Sequence, residues 1–249
     1  MSSRRPRDAG RGGGERRDGG EHVVAGERAV GELIDAAAKR VKKILVDPKR
    51  RGSELIARAR ALGIAIVDAD AKALGIASVD GPAKGIVAFA SPPREHALDE
   101  LIEAALARPR GRLVALDGVE DPHNLGAILR SAEFFGASGV FWPKDGSAPL
   151  SPAAVRASAG ASERLPSGRV GNLARALADC KDAGLWVVGT VAEGGMQLAD
   201  AIANDRLPEH LVLVMGGEHD GLRRLTRERC DYLVTIERTG AIASLNVSA

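Results

Sequence analysis

Asp121-Pro122-His123-Asn124-Leu125-Gly126-Ala127-Ile128-Leu129-Arg130 follows an apolar run, Leu113 to Leu116, that reads as a buried strand closing at Asp117-Gly118. Beyond it, Leu125, Ile128, Leu129 and Ala132 share one face of a helix running from Leu125 to Phe135. Asn124 stands just ahead of that periodic stretch, where a side-chain amide can cap the helix or meet a ligand. Arg130 comes about one and two-thirds turns later and projects from a different side. A strand-to-helix junction carrying a fixed amide and a guanidinium suits the handling of a phosphate or ribose.

Outward from this junction the chain keeps alternating. Strand Gly139 to Trp142 precedes a helix around Pro152 to Ser158, and helix Leu173 to Ala183 precedes strand Trp186 to Thr190. Strand Leu211 to Met215 delivers Gly216, Gly217 and Glu218 and is followed by a helix from Gly221 to Cys230. Strand Tyr232 to Ile236 then enters a final loop, Ser244-Leu245-Asn246-Val247-Ser248. Short apolar runs separated by helices indicate an α/β fold with a largely parallel sheet, buried on both faces. Upstream, helix signals at Ala29 to Ala37, Gly52 to Ala61 and Ala69 to Leu74 alternate with strands Val41 to Val46, Ile64 to Val67 and Gly85 to Phe89. That is a second, smaller α/β domain over residues 22–90. Residues 91–110, opening with Ser91-Pro92-Pro93 and carrying one helix from Leu98 to Ala107, form the linker to a domain over 111–249.

Composition bounds the rest. With 249 residues, 45% hydrophobic and 27% charged, the chain is an ordinary globular protein large enough for two small domains. No apolar stretch approaches the roughly 18 residues of a membrane span. Two cysteines without a pairing pattern fit a reduced, cytoplasmic setting, and five scattered His show no metal-ligand spacing, so no metal is expected. The net charge of +2 resides in the Arg- and Gly-rich tail, residues 1–21, which is expected to be disordered. No G-x-G-x-x-G follows the first strand of either domain, and neither a P-loop nor a nucleophile elbow occurs. The glycine and amide signals sit instead in the last third of the sheet.

Three segments, Asp121 to Arg130, Leu211 to Glu218 and Ser244 to Ser248, taken in that order, resemble the three motifs of the SpoU (TrmH) family of RNA ribose 2′-O-methyltransferases. These belong to the trefoil-knotted SPOUT group. The likeness covers most of residues 22–249. The first domain, through Val24 to Val30 and Ala83 to Ala88, resembles the small ribosomal-protein-like substrate-binding domain that precedes many catalytic SpoU domains. Two-domain members include enzymes that methylate a guanosine ribose in large-subunit ribosomal RNA. The resemblance thus implies S-adenosylmethionine as cofactor, 23S rRNA as first choice of substrate, a C-terminal trefoil knot and a homodimer.

It also implies roles. Gly216, Ile236 and Leu245 would contact the cofactor largely through backbone, with Gly217 allowing close approach. Ser244 and Asn246 would complete the pocket wall; on residue type alone, an S-x-N is as well explained by a turn. Arg130 would be catalytic: the family proposal makes it a base, but a guanidinium keeps its proton, so charge stabilisation and phosphate clamping fit its chemistry better. The bland alternative pairs Arg130 with Glu133. Asn124 would orient Arg130 or the ribose, or simply cap its helix. Glu218 would hold Asn124 or Arg130, or cap the helix beginning near Gly221. His123 and His219 read as loop residues.

Three departures from the family pattern stand out. Glu237 and Arg238 replace a usual Pro and apolar residue, and His219 replaces a frequent glycine. Family members also normally continue into a C-terminal helix, which is expected to be missing after Ala249. Competing readings are a tRNA or antibiotic-resistance rRNA methyltransferase, or a non-catalytic RNA-binding protein of the same fold. With only 3% aromatic residues, any of these would bind RNA through phosphates and shape, with steep salt dependence.

Overall fold

The computed structural model describes residues 22–78, 84–218, 220–238, 240 and 245–249. The expected disordered tail, the Gly81-Pro82 entry to the fourth strand, His219 and Ser244 lie outside them. The first part of the chain runs β1 (His22–Ala25), α1 (Glu27–Ala37), β2 (Val41–Val46), α2 (Glu54–Ala61), β3 (Ala65–Asp68), α3 (Ala71–Ala77) and β4 (Ile86–Ala90). Its strands form one mixed sheet in the order β1-β4-β2-β3, parallel only between β2 and β3. Val30, Leu33 and Ile34 of α1 close over Ile44, Val46, Ile86 and Ala88 as its core. Ser53 and Asp70 accept main-chain N–H bonds at the starts of α2 and α3, which fixes where those helices begin.

After α4 (Leu98–Leu106) come β5 (Arg112–Asp117), α5 (Pro122–Phe134), β6 (Gly139–Pro143), α6 (Pro152–Ala157), a 3-10 turn at Ala161–Glu163 and β7 (Ser167–Val170). Then follow α7 (Leu173–Asp182), β8 (Trp186–Thr190), β9 (Met196–Gln197), α8 (Leu198–Ala203), β10 (Leu211–Gly216), α9 (Arg224–Arg227) and β11 (Tyr232–Thr235). These strands make a second sheet, order β7-β6-β5-β10-β8-β11-β9, in which every pairing is parallel. Alternation along β5 divides the core. Leu113 and Ala115 meet α4 and α7 on one face, whereas Val114 and Leu116 meet Leu125, Ile128 and Leu129 of α5 on the other. Each of these leucines and isoleucines contributes about 1.5–3 kcal/mol by leaving water, so the apolar stripe of α5 holds that helix on the sheet.

Several expectations need correction. Helix α5 begins at Pro122, capped by Asp121, whose carboxylate accepts the His123 N–H at 2.9 Å. Asn124 therefore lies within the first turn and does not cap the helix. Proline suits the first turn, because its missing N–H would have had no partner there. The expected helix Gly221 to Cys230 shrinks to Arg224–Arg227, since Gly221 (φ 61°) and the bridge Gly217–Gly221 hold the chain in a turn. Ile236 falls beyond the end of β11. Strands β1, β7 and β9 and helix α8 had no expected counterpart: β7 is Ser-Gly-Arg-Val and β9 two residues, too short and polar for a periodic signal.

Candidate active site

The C-terminal ends of β5 and β10 lie side by side, with Asp117 paired to Gly216 in register. There Gly217 N–H donates to the Asp117 carbonyl at 2.8 Å. Both glycines are demanded by the chain itself. A Cβ on Gly216 would stand 2.2 Å from the Gly221 carbonyl carbon, and one on Gly217 would stand 2.3 Å from the Gly118 oxygen. Neither has a positive φ, so the glycines serve close backbone packing between two loops, not unusual dihedrals.

This junction brings Asn124 and Glu218, separated by 94 residues, into a direct hydrogen bond from the Asn124 amide to the Glu218 carboxylate. Glu218 does not cap a helix: α9 starts after Arg223 with no side-chain cap. Arg130 projects from the exposed side of α5 and makes no hydrogen bond or ion pair with the described residues, Glu133 included. Asn124, engaged with Glu218, is not bonded to Arg130. Ile236 and Leu245 are 63% and 69% exposed. Asn246 closes a turn at the chain end, its side-chain oxygen accepting from Ser248 N at 2.9 Å and Ser248 Oγ at 2.7 Å. The next residue, Val247, packs with Met215 on the cluster formed by α5 and β5, which draws the terminal segment toward the end of β10.

Asp117 escaped the sequence analysis as a site residue. Its side chain is 1% exposed, Oδ2 accepts the Arg223 N–H at 2.8 Å, and the Arg223 guanidinium lies 3.7 Å from Oδ1. That guanidinium reaches on to the Gly146 carbonyl at 3.4 Å and covers Gly118. Asp117 thus fastens the loop after β10 to the end of β5. The available signal was a charge terminating an otherwise apolar strand. One buried oxygen at this junction, Asp117 Oδ1, has no hydrogen-bond donor; a second, Gln197 Oε1, lies in β9 at the far edge of the sheet. Among the described residues no three His, Cys, Asp or Glu side chains gather as a metal-ligating group, and no helix is long and apolar enough to cross a membrane.

A parallel α/β sheet that gathers Asn124, Gly216, Gly217 and Glu218 beyond the ends of β5 and β10 has the architecture of the open α/β class, whose ligands commonly bind at the carboxyl edge of the sheet. Residues 111–249 match the model of the SpoU rRNA Methylase family. The chain is 38% identical over 229 residues to the 23S rRNA (guanosine-2′-O-)-methyltransferase RlmB of Salmonella typhimurium, covering 91% of this chain and 93% of that protein. It is 42% identical over 231 residues to the protein of the same name from Pseudomonas syringae, covering 90% of each. Among solved structures it resembles the SpoU methyltransferase AviRb of Streptomyces viridochromogenes in complex with AdoMet (TM-score 0.74, 25% identity, 92% of this chain and 85% of that one). It also resembles an AdoMet-bound rRNA methyltransferase from Sinorhizobium meliloti (TM-score 0.71, 25% identity, 92% and 82%). The chain belongs to the SpoU rRNA methylase family.

Proposed function

We infer that this protein transfers a methyl group from S-adenosylmethionine to a ribose 2′-hydroxyl of ribosomal RNA, with a guanosine of 23S rRNA as the target. The observation that carries this is the Asn124–Glu218 contact, which joins two family motifs at the carboxyl edge of the parallel sheet. The relatives spanning about nine-tenths of the chain bear the name of that activity.

The bound cofactor supplies a methyl group already activated on a sulfonium. Its amine, hydroxyl and ammonium donors match the donor-free acceptor Asp117 Oδ1. An adenine ring suits the exposed apolar side chains of Ile236 and Leu245. Gly216, Gly217, Ser244 and Asn246 complete the pocket in this proposal, chiefly through main-chain groups. What remains for the protein is alignment and charge. Glu218 holds the Asn124 amide so that its free carbonyl can orient the ribose. Arg130 steadies the negative charge that grows on the 2′-oxygen and clamps a neighbouring phosphate. A guanidinium keeps its proton, so Arg130 acts here by charge and not as a base.

The unit of β1 to β4, residues 22–90, is proposed as the RNA-substrate domain, residues 91–110 as linker, and residues 111–249 as a catalytic domain closing in a trefoil knot. A homodimer would bring Arg130 of one subunit to the cofactor of the other. Arg130 is exposed, and the same helix ends in the exposed, edge-to-face pair Phe134–Phe135, which a partner would bury. Work on ribosomal RNA implies a cytoplasmic enzyme.

Radiolabelled S-adenosylmethionine with 23S rRNA or tRNA, followed by mapping of ribose methylation, tests the activity. Methylation of a 23S guanosine is expected, and Arg130→Ala should lower the rate by about a hundredfold or more while cofactor affinity persists. Methylation of tRNA alone would overturn the target. Absence of cofactor binding in calorimetry would overturn the enzyme reading in favour of a non-catalytic RNA-binding protein. Mixed Arg130→Ala and Asn246→Ala subunits should recover activity if sites are shared; no recovery counts against the dimer.

A further inference from the structure

We propose that Arg40 is a positioning residue that rivets the four-stranded unit, the connecting segment and the seven-stranded unit at one fixed angle, and so sets which ribose reaches the methyl donor. The proposal rests on the reading that the four-stranded unit engages the RNA.

Arg40 ends a 3-10 turn, Ala38–Arg40, immediately before β2. Its Nε and Nη2 both donate to the Ser91 carbonyl, at 3.0 and 2.6 Å, while Ser91 N–H returns a bond to the Arg40 carbonyl at 2.9 Å. The remaining arm of the guanidinium, Nη1, donates to Glu163 in the turn Ala161–Glu163. One planar side chain therefore grips three parts of the chain at once. Only a rigid fork can point donors at a carbonyl and a carboxylate in different directions; the single ammonium of a lysine cannot do so with the same geometry.

The Glu163 side chain is 3% exposed, so its charge has little water to fall back on. His22 lies beside it at 4.0 Å. Burial, aided by the Arg40 charge, pushes that imidazole down to about 4. His22 is consequently neutral near pH 7 and leaves Arg40 as the counter-ion. Around the pair, Val24, Ala29 and Leu33 meet Val155 and Gly160 across a gap of about 10 Å³, room for no more than one water.

From Glu163 the contact runs straight to the catalytic helix. Ser158 Oγ accepts from Ser162 N at 3.3 Å and lies 3.1 Å from Ser162 Oγ, tying the turn to the end of α6. Helix α6 touches α5 so closely at Gly126 that no Cβ fits between them. Helix α5 carries both Asn124 and Arg130. The connecting segment is pinned again a few residues after Ser91, where His96 N–H donates to the Ser167 carbonyl at 2.8 Å and Arg169 grips Glu95 at 2.6 Å. Arg40 is bonded both to the start of the connecting segment and to the turn that leads to α6. A substrate held on one unit and a reacting centre on the other demand such a fixed span, because misplacement by about 1 Å costs about a hundredfold in rate.

The test compares the wild-type chain with Arg40→Lys, Glu163→Gln and an apolar double variant, Arg40→Met with Glu163→Leu, which keeps the interface filled. Spin labels at Lys72→Cys and Glu209→Cys, with Cys180 and Cys230 replaced by alanine, report the distance between the units. In each variant the distance distribution should broaden at least about twofold and single-turnover methylation of an rRNA fragment should fall about tenfold or more, with cofactor affinity unchanged within about twofold. A distribution as narrow as wild type in all three variants overturns the proposal. So does a full methylation rate in a variant whose distribution has broadened, or a rate loss matched by an equal loss of cofactor affinity. If the wild-type chain itself methylates no RNA, the functional reading has failed, and the distance measurement still decides whether Arg40 fixes the angle.

Discussion

Replacing Gly126 with alanine sets two opposing effects against each other inside α5. Alanine is the better helix former by about 1 kcal/mol, so propensity alone predicts stabilisation. Packing predicts the reverse. The new Cβ would lie 2.3 Å from the Ala154 oxygen, 2.5 Å from the Ala157 Cβ and 2.9 Å from the Ser158 nitrogen. Two of these three atoms are main chain, which cannot rotate out of the way. Comfortable separations are about 3.5 Å, so α5 and α6 must part by about 1 Å. Overpacking of that kind costs about 1–3 kcal/mol and sometimes more, and the backbone obstacle puts this site at the upper end. A net loss of about 1–2 kcal/mol lowers Tm by roughly 2–8 °C in a chain of this size. Because the shift moves Asn124 and Arg130 together, the methylation rate should fall about a hundredfold. Thermal unfolding followed by circular dichroism and single-turnover methylation measure the two effects. A higher Tm, or a rate within about twofold of wild type, would refute the packing argument.

His22 gives a pH signature. The unfolded chain takes up its proton near 6.5 and the folded chain only near 4, so stability present above pH 6.5 is lost as the pH falls toward 4. The full loss is about 3 kcal/mol. Urea titrations of wild type and His22→Asn across that range should differ in slope, and parallel curves would sink the assignment. Asp117→Ala should cost about 1–3 kcal/mol by stranding the Arg223 N–H and should weaken cofactor binding, whereas Asp117→Asn retains an acceptor and should lose less; equal losses in urea unfolding would contradict this. Burial, with Asp179 adding, pushes the Cys180 thiol up to about 12, and burial, with Asp231 adding, pushes Cys230 up to about 11. Native alkylation at pH 8 should therefore run about a hundredfold slower than for free cysteine at Cys230 and about a thousandfold slower at Cys180, and rapid labelling of either would show that its burial is transient.

The large sheet was legible because its inner strands are buried on both faces. Runs such as Leu113 to Leu116 and Leu211 to Met215 leave no other reading at that length. The edge strands β7 and β9 were not legible, since one flanking partner and a short polar sequence produce no pattern. In the site, the meeting of Asn124 with Glu218 was one of three roles open to that carboxylate, and only the fold selects it over holding Arg130 or capping a helix. The start of α5 was misjudged because apolar spacing marks the buried stripe, whereas Asp121 and Pro122 set the cap. Asp117 and the pair Arg40–Glu163, 123 residues apart, were out of reach. A single charge at the end of a strand, or an arginine in a polar loop, acquires meaning only from neighbours that the fold supplies.

The position of β10 between β5 and β8 has a consequence for biosynthesis. When the nascent polypeptide has emerged as far as Ala203, the sheet strands before α7 (β5 to β7) and those after it (β8 and β9) share no common neighbour. Each half presents an unpaired edge of main-chain donors and acceptors. Only Leu211–Gly216 can zip them together, hydrogen-bonding to β5 on one side and β8 on the other. The sheet must wait for its keystone, and during that interval the half-built layers are open to mispairing and are natural clients for a chaperone at the ribosome exit.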